Sequence, residues 1–206
     1  MDDLSKNVHS KLVAAGWAPG VARHDSLLAW LRLSRRNIAT TADVWRRFVS
    51  HFGYPGPPFG SFKGELDSCR SARIAQQILR ELFLLEVRSG PTRYPTTIIF
   101  NPLGAIGSAP EIRTLGVHLG GLIVPVGEVL SMAHVLIANS GEVYVLDYIG
   151  GGLYYAGESF GTGMDTLLSD RLFRPVYIEG LDDPYFRLPE VTPDSPNVFC
   201  PVRAVE

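Results

Sequence analysis

LGVHLGGLIVPVGEVLSMAHVLIANSGEVYVLDY, residues 115–148, decides the fold. It reads as the end of a short helix followed by three strands, at 122–130, 134–138 and 142–149, each rich in β-branched or aromatic residues. Between the second and third, Asn139-Ser140-Gly141 is a short glycine-containing hairpin signal, so these strands are expected to be antiparallel neighbours. HVLIA and VYVLDYI are apolar at nearly every position instead of every second one, which suits strands covered on both faces. Such a sheet needs helices packed against it.

Working outward, the chain offers them on both sides. Leu4, Val8 and Leu12 fall four apart and form one apolar stripe, stopped by Gly16 and Pro19. A second short helix is expected through Leu27, Leu28 and Leu31, and a third behind the capping-box spacing of Thr40 and Asp43, carrying Val44, Phe48 and Phe52. Residues 54–64 are rich in proline and glycine and must be a loop. Ile74, Ile78, Leu82 and Leu85 predict a fourth helix, closed by Gly90-Pro91. TTIIF at 96–100 is the first expected strand, and Ser108 with Glu111 is expected to cap a helix carrying Ile112, Leu115 and Leu119. Beyond the central strands, Gly150-Gly151-Gly152 turns the chain into a strand at 153–156, and Thr162 with Asp165 is expected to cap another helix. Residues 175–178 suit an edge strand, where proline is tolerated. The expected fold is therefore α+β. A single domain over 1–180 holds a central, mostly antiparallel sheet of about five or six strands, packed with helices from both ends of the chain, and proline-rich 181–206 forms an extended tail.

The totals agree with one globular domain. The chain has 206 residues, 46% of them hydrophobic and 19% charged, far from the composition of disordered chains. A net charge of −2 with scattered basic residues lacks the footprint of a nucleic-acid binder, so no direct nucleic-acid contact is expected. Cys69 and Cys200 stand far apart with no CxxC, which argues for reduced thiols and a cytoplasmic protein. Residues 1–17 do not read as a signal peptide, and no apolar run is long enough for a membrane span.

Gly157-Glu158-Ser159-Phe160-Gly161 satisfies GxSxG, the nucleophile elbow of serine hydrolases. That chemistry needs a histidine after the serine, and the last histidine in the chain is His134, so Ser159 reads better as a turn or helix-cap residue. The five histidines show no zinc-ligand spacing, and the glycines fit neither a phosphate loop nor a dinucleotide fingerprint; no catalytic residue, metal or cofactor is expected. Tyr144, Tyr148, Tyr154 and Tyr155 gather around one hairpin, and tyrosine is enriched at interfaces, although a sheet core explains them about as well. Asp147, Tyr148, Tyr154, Tyr155 and Glu158 are the first candidates for contact with a partner.

Leu115-Gly116, then Leu122-Ile123-Val124-Pro125-Val126-Gly127-Glu128, then Leu136-Ile137-Ala138-Asn139-Ser140-Gly141-Glu142-Val143-Tyr144 resemble the pattern of the third family of the SUKH superfamily of immunity proteins. That pattern is a leucine-glycine pair, an apolar run closing in Pro-aliphatic-Gly-Glu, and a strand turning through glycine into Val-Tyr. Ala15-Gly16-Trp17-Ala18-Pro19-Gly20 is similar to the family's N-terminal Ala-Gly-Trp-x-Pro-Gly, with Val21 where arginine is usual. Phe100-Asn101-Pro102-Leu103-Gly104-Ala105 is similar to its Phe-Asp-Pro-x-x-Ala, with asparagine for aspartate. On this alignment residues 55–93 are an insertion with an extra helix, and Gly16, Trp17, Pro125, Gly127, Glu128, Gly141 and Tyr144 are motif positions with structural roles. The resemblance implies a bacterial immunity protein that binds and neutralises a cognate polymorphic toxin, of a superfamily whose toxins include nucleases and nucleic-acid deaminases. The alternatives are an adaptor or scaffold, as eukaryotic relatives of the superfamily imply, and a serine hydrolase built on Ser159.

Overall fold

The computed structural model describes residues 3–23, 70–90, 96–130, 132–169, 171–181, 183, 185–186 and 188–201. The helices expected around 27–31 and 40–53, the loop at 54–64 and Cys69 lie outside the described residues. Four α-helices are described: α1 (Lys6–Ala14), α2 (Arg70–Leu82), α3 (Ala109–His118) and α4 (Phe160–Leu167). Seven strands among the described residues are β1 (Glu86–Arg88), β2 (Thr97–Ile99), β3 (Val124–Val129), β4 (Ala133–Ile137), β5 (Val143–Asp147), β6 (Leu153–Gly157) and β7 (Arg174–Pro175). They form one antiparallel sheet whose spatial order follows the chain from β1 to β7. A 3-10 helix, Pro102–Ser108, leads into α3.

The strand that sequence reading missed is β1. Spacing alone carried the fourth helix to Leu85 and up to Gly90, but α2 stops at Leu82. Leu84 then takes a left-handed φ of +57° and donates its N–H to the Phe100 carbonyl, 3.0 Å away, which turns the chain from helix into sheet. From there Leu85, Val87 and Ser89 are buried while Glu86 and Arg88 are exposed, the period of two that a half-covered strand requires. The start of α4 is also earlier than Thr162: Ser159 is the N-cap, and Thr162 completes a capping box with it.

Both faces of the sheet are covered. The pairing of β4 with β5 sets His134, Leu136, Leu146 and Tyr144 on one face, and Val135, Ile137, Val145 and Val143 on the other. On the second face lie α2 and α4, which meet where Ile78 and Phe160 share a cleft, and Gly163 of α4 sits directly on Val143. Trp17, just after α1, donates its indole N–H to Glu81 of α2 at 3.0 Å, which ties α1 to this layer. Ser5, the N-cap of α1, bonds to Asp165 of α4. On the first face lie the 3-10 helix and α3, followed by the C-terminal segment, where Phe199 stacks on Tyr155 with ring centroids 3.8 Å apart. Phe199 also pairs with Val176 in an isolated parallel bridge, so the segment runs along β7.

Pro125 lacks an N–H yet lies in a central strand, and a register shift between Pro125 and Gly127 accommodates it. At Gly127 the chain passes so close to β2 that a Cβ would stand 2.6 Å from the Ile99 carbonyl oxygen. Gly141, in the turn between β4 and β5, has φ of +102°. Gly141→Val is expected to cost about 1–3 kcal/mol through backbone strain, and Gly127→Ala about 2 kcal/mol by forcing two paired strands apart. Urea unfolding measures both, with Gly107→Ala as a control, because a Cβ there meets nothing within 4 Å. Unchanged midpoints for Gly127→Ala and Gly141→Val would contradict these roles.

Candidate functional site

A group of polar side chains lies where β3 and β4 meet the 3-10 helix. Glu128 and His134 are cross-strand partners on one face of the sheet. His134 is only 2% exposed. Its Nε2 is 3.1 Å from the Ser108 hydroxyl, and the Tyr185 hydroxyl donates to Ser108 Oγ at 3.1 Å. With Tyr185 donating to it, the Ser108 hydroxyl keeps its own proton to donate to Nε2 when the imidazole carries its proton on Nδ1. Tyr148 closes the group from outside, stacked on the imidazole at 4.4 Å. Ser108 therefore ties the sheet to the C-terminal segment, and its side chain makes no cap bond to α3 despite the N-cap position that its spacing with Glu111 predicts. Glu128 is half-buried, its carboxylate lying against Gly104, where there is no Cβ to displace it.

A serine hydroxyl on a neutral imidazole has the distance of a nucleophile and its base. Electrostatics argue against that use. Burial pushes the His134 pKa down to about 4, so the ring resists the proton it would have to accept. Nδ1 is buried with no hydrogen-bond partner, where a triad would place a carboxylate to steady the imidazolium. Burial likewise raises the Glu128 carboxyl above its ordinary range. Sequence spacing could not reveal this group, because Ser108, His134 and Tyr185 come from three distant segments.

Ser159, the centre of the GxSxG motif, is engaged locally. Its Oγ accepts from the Thr162 N–H at 3.3 Å, and its own N–H donates to Thr162 Oγ1 at 3.0 Å. Beside it is a cleft of about 190 Å³ lined by Asp3, Arg70, Gln77, Gly141 and Glu158 among others, none of them histidine among the described residues. Burial alone would raise the Asp3 carboxyl, but bonds from Ser159 and the Gly161 N–H hold it below its usual value. Among the described residues, no three His, Cys, Asp or Glu side chains are grouped to hold a metal ion.

The five residues singled out for partner contact are not brought to one surface. Asp147 Oδ1 accepts from the N–H groups of Ile149 and Gly150, at 2.9 and 2.8 Å, and so shapes the turn into β6. Tyr148 is half-buried beside it. Tyr154 and Tyr155 are adjacent in β6 and pair with Val145 and Tyr144 respectively, so they face opposite sides of the sheet. Tyr155 is sandwiched by Phe199, with the Arg174 guanidinium 5.7 Å from its ring centroid. Tyr154 lies near Phe173, with ring centroids 6.3 Å apart. Burial, then Glu142 and Glu158, raise the Tyr155 hydroxyl against the lowering effect of Arg174, while burial and Asp147 raise Tyr154. Tyr144 is fully buried and donates to Glu142 at 2.9 Å; burial first, then that carboxylate, push its pKa upward. Glu158 is exposed at the far end of β6.

The class this architecture defines is an α+β domain built on an antiparallel meander that is covered on both faces. Within that class, residues 71–170 match the SUKH-3 immunity protein family. The match runs from α2 to just past α4 and takes in six of the seven strands, β1 to β6. It therefore includes α2, which the sequence alignment placed in an insertion, and it leaves the Ala15–Gly20 motif outside. Searches of curated proteins and of solved structures gave no significant match. Among the described residues no helix is long and apolar enough to cross a membrane.

Two measurements check these assignments. Ser159→Ala is expected to cost about 1 kcal/mol in urea unfolding, the usual loss for a helix N-cap. His134 gives a pH signature. Its folded pKa is about 4 against 6.5 in the unfolded chain, so the stability it contributes is complete above pH 6.5 and drains away as pH falls towards 4. At about 1.4 kcal/mol per tenfold change in protonation, the full loss is on the order of 3 kcal/mol. Glu128, with its raised pKa, acts in the opposite sense at the acid end, so the test compares wild type with His134→Gln. The variant is expected to flatten stability between pH 7 and 4.5; an unchanged slope would remove His134 from the account.

Proposed function

We propose that the chain neutralises a cognate polymorphic toxin domain by forming a stoichiometric complex with it, blocking the toxin's active site or the route to it, with no chemistry of its own. The observation that carries this reading is the SUKH-3 immunity protein match over residues 71–170, which covers nearly the whole sheet. Two features agree with it. Ser159 is absorbed in a capping box, and His134 is buried beneath Tyr148 with a poorly basic imidazole. The toxin is a nuclease or a nucleic-acid deaminase, with a basic substrate cleft that complements the net charge of −2 on this chain. Complex formation takes place in the cytoplasm, where such a toxin would find its substrate.

Coexpression tests the mechanism directly. The toxin domain encoded beside this chain's gene is expected to arrest growth alone, to be silent when this chain is coexpressed, and to copurify with it in a 1:1 ratio. Growth rescue with no complex detectable by size-exclusion chromatography would overturn neutralisation by binding.

A further inference from the structure

Seven large hydrophobic side chains are exposed among the described residues, and three of them, Leu130, Met132 and Ile149, gather at one end of the sheet. They are 49%, 48% and 64% exposed. Leu130 and Met132 stand in the turn from β3 to β4, and Ile149 in the turn from β5 to β6. The two turns are joined: the Tyr148 N–H donates to the Met132 carbonyl at 3.2 Å, while the half-buried Tyr148 ring stacks on His134. Val13, Val21, Val117 and Leu172, the other four, stand on separate elements.

Leu130 is the informative member. Its φ is +51°, the left-handed region that costs a side-chain-bearing residue energy and that glycine or asparagine occupies more readily. A tight turn at a sheet end asks for one of those residues, and solubility asks for the same. The Leu130 N–H donates to the Thr97 carbonyl at 2.9 Å, which holds this backbone in place, and its half-exposed side chain joins Met132 and Ile149 in a small apolar patch at the end of the sheet. The charges around it point to the nature of a partner. The groups that face Tyr148 are Glu128 from β3, Asp147 from β5 and the Tyr185 hydroxyl from the C-terminal segment. His134 beneath it is neutral at physiological pH. Arg88, at the same end of β1, is already paired with Glu86 at 2.8 Å.

We infer that the cognate toxin domain seats on this end of the sheet, with Leu130, Met132, Tyr148 and Ile149 as the apolar centre and Glu128 and Asp147 as an acidic rim for its lysines and arginines. This inference rests on the immunity reading. It keeps Asp147 and Tyr148 as partner contacts and excludes Tyr154, Tyr155 and Glu158. An apolar centre within a charged rim is how a small surface gains affinity and orientation together. Charge of one sign at the rim also speeds encounter with a basic cleft, in a manner that salt weakens.

The test measures binding of the purified toxin domain encoded beside this chain's gene, inactivated at its catalytic residue, by titration calorimetry and stopped-flow association. Leu130→Asn is expected to weaken binding by about tenfold, the loss of one interface anchor, while its thermal midpoint stays level or rises because strain is relieved. Met132→Asp combined with Ile149→Asp is expected to lose about a hundredfold or more, and Leu172→Asp, on the far side of β7, nothing. Raising salt is expected to slow association with wild type. If wild type binds and every variant binds equally well, the surface is overturned and the immunity reading stands. If wild type does not bind, both fall. A wild-type dimer in sedimentation that Met132→Asp dissociates would assign the patch to a second copy of this chain and overturn the proposal as well.

Discussion

The rest of the structure depends on β4 being dry on both sides. All five of its residues, Ala133 to Ile137, are buried. A strand in that position cannot turn any polar backbone group to water, so full ladders with β3 and β5 are obligatory. Its two sets of side chains likewise demand two covering layers. One layer is helical, built from α1, α2 and α4 and joined by Trp17–Glu81 and Ser5–Asp165. The other is made from the 3-10 helix, α3 and the returning C-terminal segment. Chain order fits this need: α1 and α2 precede the sheet, the 3-10 helix and α3 are inserted between β2 and β3, and α4 between β6 and β7, so the covering elements enter where consecutive strands are joined by long connections.

The second layer is held by apolar packing of Ala105, Ile112, Leu115 and Phe186 and by a few specific contacts. Phe199 stacks on Tyr155, Arg174 reaches the carbonyl groups of Asn197 and Val198, and the Tyr185–Ser108–His134 chain fastens its middle. The orphaned Nδ1 of His134 is the cost of bringing an imidazole under that cover. The same layer protects the sheet. β7 is only two residues long and β1 only three, and short edge strands offer little template for pairing with another chain.

Much of this was legible in the sequence, because local signals and tertiary demands agree there. HVLIA and VYVLDYI announced a doubly covered pair of strands, and Asn139-Ser140-Gly141 their hairpin, since continuous apolar runs and turn glycines are statements about a few neighbouring residues. β1 was not legible, because LFLLEVR carries leucines at helical spacing and the break comes from a left-handed Leu84 anchored by Phe100, a residue 16 positions on. The candidate site was half legible for the same reason. Tyrosines could be counted around a hairpin, but whether Tyr155 is free depends on Phe199, and whether Ser108 caps a helix depends on His134 and Tyr185. Leu130 offered no signal at all in the letters, since its meaning lies in a φ angle.

The position of Phe199 in the chain sets an order of events during synthesis. The strands it covers are complete by residue 157, and α4 by residue 167, so a meander with one helical side can assemble while the ribosome is still at work. Tyr144 and Tyr155 then wait without this cover until Phe199 has left the ribosome. The nascent protein passes through a stage in which the β5–β6 part of one face is bare, and the segment around Phe199 is what closes it.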